Sequence, residues 1–539
     1  MHLYEGCGMM AFHINMRSLV AALVCFGAVQ AAWSIQPEAS AKIDRLVFAK
    51  LDELGIPPSD PCTDEVFLRR VYLDMIGTLP TTEEAEYFLS SNSKNKRSEL
   101  IEGLFDRPEF ADYWAMKWCD LLRVKAEFPS KLWPNAVQAY YRWVRTALFD
   151  NMPYNEFAYT LLASSGSNFR EAPVNFYRAM PKREPVEIAH VVALTFMGMR
   201  TEQWERERLL GMAAFFGQVA YKGTAEWKEE IVYRDPSKEF ADAETKVPVP
   251  AVLPNGTLVA FSDDRDPRID FANWLVGSKA FSDNIVNRIW YWLLGRGIVH
   301  EADDFRTENP PQNAALLDFL SSELVSSGYD LRHIFRIILN SRTYQLSSIH
   351  NEGNRNDEVN FSRYYVRRLD AEVLIDAICQ ITKTTESYSS DIPEPFTFIP
   401  EHERAVRLAD GSITSPFLEL YGRPSRDTGY ESERNNSPSA AQKLHLLNST
   451  HIQSKIQNNK QLLGVVNQPN PKRNKPATTW QEPGKTVEGM YLAILSRYPT
   501  AKETSRAIAY IQESGESRYN ASVDLVWALM NTKEFIFKH

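Results

Sequence analysis

The chain has 539 residues, of which 44% are hydrophobic and 24% charged, with a net charge of −9. That length exceeds what one core usually fills, so about two to four domains are expected. The composition excludes a fibrous or disordered chain, and an acidic balance without a long basic run argues against nucleic acid as a partner.

Arg17 precedes an apolar run from Leu19 to Val29, followed by Ala31 and Ala32. This order is that of a secretory signal, so residues 1–31 are expected to be removed on export. The run is shorter than the roughly 20 residues that span a bilayer. No later segment has a long uncharged apolar stretch, so the mature chain is expected to be secreted or periplasmic, with no transmembrane span. Met16 directly precedes Arg17, which leaves Met1 and Met16 both open as translation starts. Cys25 follows Val24 rather than a small residue, which weakens a lipoprotein reading, and a buried N-terminal helix is the structural alternative. Cleavage would leave Cys62, Cys119 and Cys379, which do not make a disulfide framework. A Cys62–Cys119 bridge stays open for an oxidising compartment, although Cys119, inside the Trp-rich stretch Trp114 to Leu122, reads more simply as buried.

From residue 41 onward helical spacing dominates. Ile43, Leu46, Val47, Leu51 and Leu54 share one face, and Gly55 and Pro57 stop the run. Phe67, Val71 and Met75 mark the next helix, and Thr81 with Glu84 a capping box. Helices are expected over Ala136–Asn151 and, strongly apolar, over Glu187–Met199. Character changes over 220–265, where Glu229–Tyr233 alternates weakly and Asn255-Gly256 signals a turn. A linker with a small β element is expected at 236–265, with any sheet confined to roughly 219–262. Asn309-Pro310-Pro311-Gln312 predicts a helix start, Gly328 a C-cap. Residues 385–440 read as a long ordered loop, 467–483 as a proline-rich linker, and Val487–Phe535 as a final helical pair with Thr500 and Glu503 as a cap. The expected fold is therefore mainly α: an N-terminal helical domain over 32–235, a C-terminal one over 266–466, and a terminal helical segment over 484–539.

Ordered matches carry a resemblance. Leu68-Arg69-Arg70-Val71-Tyr72-Leu73-Asp74, Gly77, Leu79-Pro80-Thr81, Tyr113-Trp114 and Gly166-Ser167-Asn168-Phe169-Arg170 stand in the first half. Asn287-Arg288-Ile289-Trp290, Gly295-Arg296-Gly297, Asp303-Asp304-Phe305-Arg306, Asn340-Ser341-Arg342-Thr343-Tyr344-Gln345 and Arg367-Arg368-Leu369 stand in the second. The chain resembles the paired domains of unknown function 1549 and 1553, often called planctomycete-type cytochrome-linked domains. The resemblance implies a Cys-x-x-Cys-His-type segment between a Gly-x-Arg and an Ala-Ala-Phe-Phe. Here Gly198-Met199-Arg200 and Met212-Ala213-Ala214-Phe215-Phe216 stand, with Thr201–Leu210 between them and no Cys or His. It also implies cysteines near Tyr430-Glu431-Ser432-Glu433-Arg434, and none is present. No cofactor is expected, since thioether links to haem need the thiols. The helix of Met212–Val219 is expected to extend back to near Trp204.

Other chemistry is sparse. The ten histidines form no His-Glu-x-x-His pair, and His445 and His451 are six residues apart. No phosphate loop or nucleophile elbow is present, so no metal site and no catalytic motif are expected. Asp303, Asp304 and Arg306, with Arg342 and Tyr344 placed to frame the same site, are the best polar candidates, for a cation or for acid–base work. The structural alternative is an ion pair joining loop to helix. Arg69 and Arg70 with Asp74 are expected to pair along one helix. Trp114, Trp118, Trp290 and Trp292 fall in apolar helices and read as core rather than as sugar-stacking platforms. These observations fit an exported helical accessory or binding protein with an unidentified protein or polymer partner outside the cytoplasm. A hydrolase acting on an extracellular polymer is the alternative. Convergent polar groups in a concave pocket would favour an enzyme, and an exposed aromatic patch a scaffold.

Overall fold

Helix follows the apolar periodicity along most of the chain. The computed structural model describes residues 38–262, 264–468 and 477–539; the signal run, Cys25 and the two candidate start codons lie outside them. Among the described residues helix outweighs strand, 52% to 6%, and no helix is long and apolar enough to cross a membrane.

Local chemistry sets the helix ends. Thr81 and Glu84 exchange side chain-to-backbone hydrogen bonds ahead of the Thr82–Ser90 helix, as do Thr500 and Glu503 ahead of Ala501–Glu513. Proline opens the Pro108–Leu121, Pro134–Phe149, Pro185–Met197, Pro267–Val276 and Pro483–Leu495 helices, at a position whose N–H needs no partner. The proline pair after Asn309 behaves differently. Asn313 caps the Ala314–Ser326 helix through the amide of Leu316, so that helix begins later than the Asn-Pro-Pro-Gln signal suggested. Gly328 takes the left-handed conformation just beyond it.

Pro108–Leu121 is buried along almost its whole length and packs on Pro134–Phe149. Lys279–Leu294 packs on Pro185–Met197 and Ala314–Ser326. Trp114, Trp118, Trp290 and Trp292 are all interior. One continuous apolar core runs from Ala39 to Phe535, so both halves of the chain contribute to it. Cys62 and Cys119 are buried and unpaired, so no bridge joins them.

Sheet is not confined to 219–262. Gly166–Ser167 and Val219–Gly223 flank Glu230–Arg234 as antiparallel partners, Ala251–Val252 pairs with Leu258–Val259, and Arg367–Arg368 with Phe537–Lys538. Two-residue strands paired across long separations leave no alternation to read. At the expected proline-rich linker, Val465–Gln468 and Ala477–Trp480 pair as strands on either side of residues outside the described set. The segment after it holds three successive helices, Pro483–Leu495, Ala501–Glu513 and Arg518–Met530, then a short one at Lys533–Ile536. After Arg200, where the resemblance implied a Cys-x-x-Cys-His-type segment, the helix is shorter than anticipated. A 3-10 turn at Thr201–Gln203 precedes Arg206–Ala213, a second 3-10 turn follows, and a strand starts at Val219.

Candidate functional site

Asp74 points from the Asp64–Met75 helix into the core, yet it does not pair with its helical neighbours. Arg69 donates to the carbonyls of Ile494 and Phe535, and Arg70 to those of Tyr344 and His539. Asp74 instead accepts from the hydroxyls of Tyr344 and Tyr364, each at 2.9 Å, and pairs with Lys538 at 2.9 Å and Arg367 at 3.3 Å. A polar chain continues from there. Lys538 lies 3.4 Å from the Tyr113 hydroxyl, which donates to Asp370 at 3.0 Å. Asp370 pairs with Lys117 at 3.0 Å and accepts from the Asn436 amide at 2.7 Å. Arg434 spans Asp120 and Glu372, at 2.7 and 2.6 Å, and Arg426 holds the other oxygen of Asp120 at 2.9 Å. The 385–440 segment carries a short helix at Pro416–Leu420 and is held by Arg426 and Arg434, both interior. Buried charges persist only when paired and hydrogen-bonded, and these carboxylates meet that condition.

This network floors a cavity of about 490 Å³. Tyr291 and Trp292 form an aromatic wall, and residues of the 431–438 segment form part of the rim. Lys117, Arg367, Arg368, Arg434 and Lys538 line it against only two acids, Asp370 and Glu431. Arg368 is buried and donates only to the carbonyls of Tyr421, Asn435 and Asn436, and its Nη1 has no partner.

The two acids sit in opposed environments. Burial alone would raise the Asp370 carboxyl, but Lys117, Arg434 and Lys538 outweigh it and hold the group well below the usual range. Burial pushes the Glu431 carboxyl up to about 7; Lys117 and Arg288 oppose that shift, and Asp303 adds to it. Glu431 keeps some solvent contact through the cavity, while protein surrounds its carboxyl. Paired acids pushed apart in this way are the arrangement that lets one donate a proton while the other stays ionised.

The residues singled out from sequence do not meet in one site. Asp303 is buried, pairs with Arg288 at 2.6 Å and accepts the Glu431 amide at 2.6 Å, so it acts as a strut for the cavity rim. Asp304 pairs with Arg306 at 3.2 Å, and Arg306 reaches Gln203 at 3.3 Å. Arg342 is elsewhere: its backbone amide donates to Asp44 and its guanidinium lies over Phe48. Tyr344 is buried on Asp74, at the far end of the polar chain from Asp303. Lys117, Tyr113, Asp370 and Arg368 were not recognised as site residues. Lys117 gave a usable signal, a lysine set among Tyr113, Trp114, Met116 and Trp118 in a helix that is buried along almost its whole length.

The two segments where the resemblance implied cysteines lie against each other. Arg200 lies over the Tyr430 ring at 5.3 Å, and the Tyr430 hydroxyl reaches Glu202 at 3.4 Å. Their donors are guanidinium, phenol and carboxylate, with no thiol or imidazole, so the residues present do not fit a covalently attached haem. Among the described residues no group of three His, Cys, Asp or Glu side chains is placed to hold a metal ion. Gly198 sits tightly beside them. A Cβ there would meet the Asn284 amide oxygen at 2.6 Å and Phe305 at 2.9 Å, and its φ of +63° is left-handed.

Residues 42–213 match a family described as a protein of unknown function, DUF1549, and residues 267–511 one described as a protein of unknown function, DUF1553. The chain belongs to the paired DUF1549–DUF1553 family. The DUF1549 part supplies Tyr113 and Lys117 to the cavity, and the DUF1553 part Arg368, Asp370, Glu431 and Arg434. Phe537 and Lys538, which complete the floor, lie beyond the matched range. No curated protein and no solved structure matches the chain.

Proposed function

We propose that this DUF1549–DUF1553 chain is an exported binding protein that seats an acidic group of an extracellular polymer in the cavity between its two halves. The observation that carries this reading is the lining: five cationic side chains against two acids, with Arg368 lacking a carboxylate partner. Guanidinium groups held in place by carbonyls are suited to carboxylate, phosphate or sulfate. An exposed aromatic cluster fits a polymer partner. Trp133 packs edge to face on Trp227 and Phe396, which meet each other at a tilt, with ring centroids 4.7–5.5 Å apart, and Phe398 nearby is exposed. Export rests on Arg17 and the Leu19–Val29 run.

The test has two arms. Expressed with its leader in a Sec-competent bacterium, the protein should be recovered outside the cytoplasm, starting near Ala32; an uncut cytoplasmic chain refutes export. The mature protein should be retarded in gels cast with polygalacturonate, alginate or heparin and not in gels with neutral dextran. Equal mobility in all four refutes the binding reading. A hydrolase is the second reading, favoured by the raised Glu431 carboxyl in a concave, aromatic-walled site.

A further inference from the structure

We propose that Glu431 is the proton donor for hydrolysis of a glycosidic bond in an acidic polysaccharide held in this cavity. This rests on the binding reading above and adds a reaction to it.

Glu431 is the one acid of the cavity free to react. Asp370 is fully engaged by Lys117, Tyr113 and Asn436, whereas the Glu431 carboxyl takes part in no ion pair among the described residues. Its position is fixed at the start of the short 3-10 turn Glu431–Glu433. Its amide donates to Asp303, which Arg288 holds from the Lys279–Leu294 helix. Two residues on, Glu433 accepts the amides of Asp427, Thr428 and Gly429 and the hydroxyls of Ser425 and Thr428, which ties the loop to itself. The carboxyl itself meets the Trp292 indole and no paired cation, so the donor is preorganised without being neutralised.

The groups around the carboxyl come from three elements. Lys117 belongs to Pro108–Leu121, Tyr291 and Arg288 to Lys279–Leu294, and Asp303 to the loop that follows. Burial and Asp303 favour the protonated form before reaction, and the Trp292 indole opposes them. Lys117 and Arg288 stabilise the carboxylate left afterwards. In the step itself, the Glu431 proton passes to the bridging oxygen as the bond from that oxygen to the anomeric carbon breaks. A water molecule entering through the cavity mouth then bonds to that carbon and returns a proton to the Glu431 carboxylate. The products are two shorter chains, one with a new reducing end, and no other reactant is consumed. The unpaired Arg368 and the Lys117 ammonium would hold the carboxylates or sulfates of the chain beside the reacting bond.

The mature protein is incubated at pH 6 with whichever of polygalacturonate, alginate or heparin it binds, and new reducing ends are counted. Wild type should release them. Glu431→Gln should be slower by about 10²- to 10⁴-fold, with affinity for the polymer within about three-fold. Carbon-13 labelling of the glutamate carboxyls gives an independent readout in the intact protein: the resonance missing from Glu431→Gln should titrate near pH 7. A bound polymer left intact by wild type, unchanged cleavage by Glu431→Gln, or titration of that resonance below pH 5 each overturns the catalytic role. Failure to bind any of the three polymers overturns the binding reading first, and the catalytic role with it.

Discussion

In the unfolded chain Glu431 is an ordinary carboxylate; folding encloses it beside Asp303 and raises its pKa from 4.5 to about 7. A group raised on folding contributes stability that is fully present below its unfolded value, and this is lost as pH rises through its folded one. Through Glu431 the protein should therefore lose about 1–3 kcal/mol between pH 4.5 and 8, the lower end applying where cavity water screens the charge. Asp376, raised by burial to about 6 despite Arg404 and two backbone amides, adds a loss of the same sign. Glu431→Gln removes only the first share, so the gap in urea midpoint between pH 5 and pH 8 should narrow. An unchanged gap would mean that the carboxyl titrates normally. Lys117 shows how much of such a residue is visible in advance. One lysine amid Tyr113, Trp114, Met116 and Trp118 signals a buried partner, but that partner, Asp370, lies more than 250 residues away.

At the scale of elements, capping chemistry was legible and strand pairing was not. Thr500 and Glu503 announce a helix because the bonds they make span three residues. That helix buries only Ala507 and Ile511 along its length, so it depends on its cap more than interior helices do. Thr500→Ala should cost about 1 kcal/mol. The loss should stay local, because Glu503 remains paired with Arg497 at 2.9 Å. Hydrogen exchange should quicken across 501–513 while the global melting temperature barely moves; equal acceleration in the Pro108–Leu121 helix would contradict a local role. By contrast, Arg367–Arg368 pairs with Phe537–Lys538 across the last third of the chain. Two residues contain no period, and the ladder forms only because the helices between them bring both strands to Asp74.

Across the whole molecule the two halves complete each other. Lys117 and Asp120 from the first half meet Asp370, Arg426 and Arg434 from the second, and Asp74 meets Tyr344, Tyr364 and Lys538. Cutting the chain after residue 262 would strand several buried charges, each worth about 3–5 kcal/mol once its partner is gone. Such a sum exceeds the stability of a typical domain, about 5–15 kcal/mol. Residues 38–262 and 263–539 expressed separately should therefore fail to fold, and co-expressed they should purify together. A half that unfolds cooperatively on its own by circular dichroism would show that the boundary between the matched families is also a folding boundary.

The sequence by itself determined the helical class, the caps, the interior tryptophans and the paired family, because each is written in spacings of a few residues or in ordered motifs. It also showed that Thr201–Leu210 and Tyr430–Arg434 lack the donors a covalent haem requires. Tertiary structure alone decided that these two segments touch, that Asp303 is a strut and Glu431 the available acid, and that Arg342 belongs elsewhere. The reason is physical: a carboxylate's role depends on which charges and how much water surround it, and in this chain those neighbours come from opposite ends of the polypeptide.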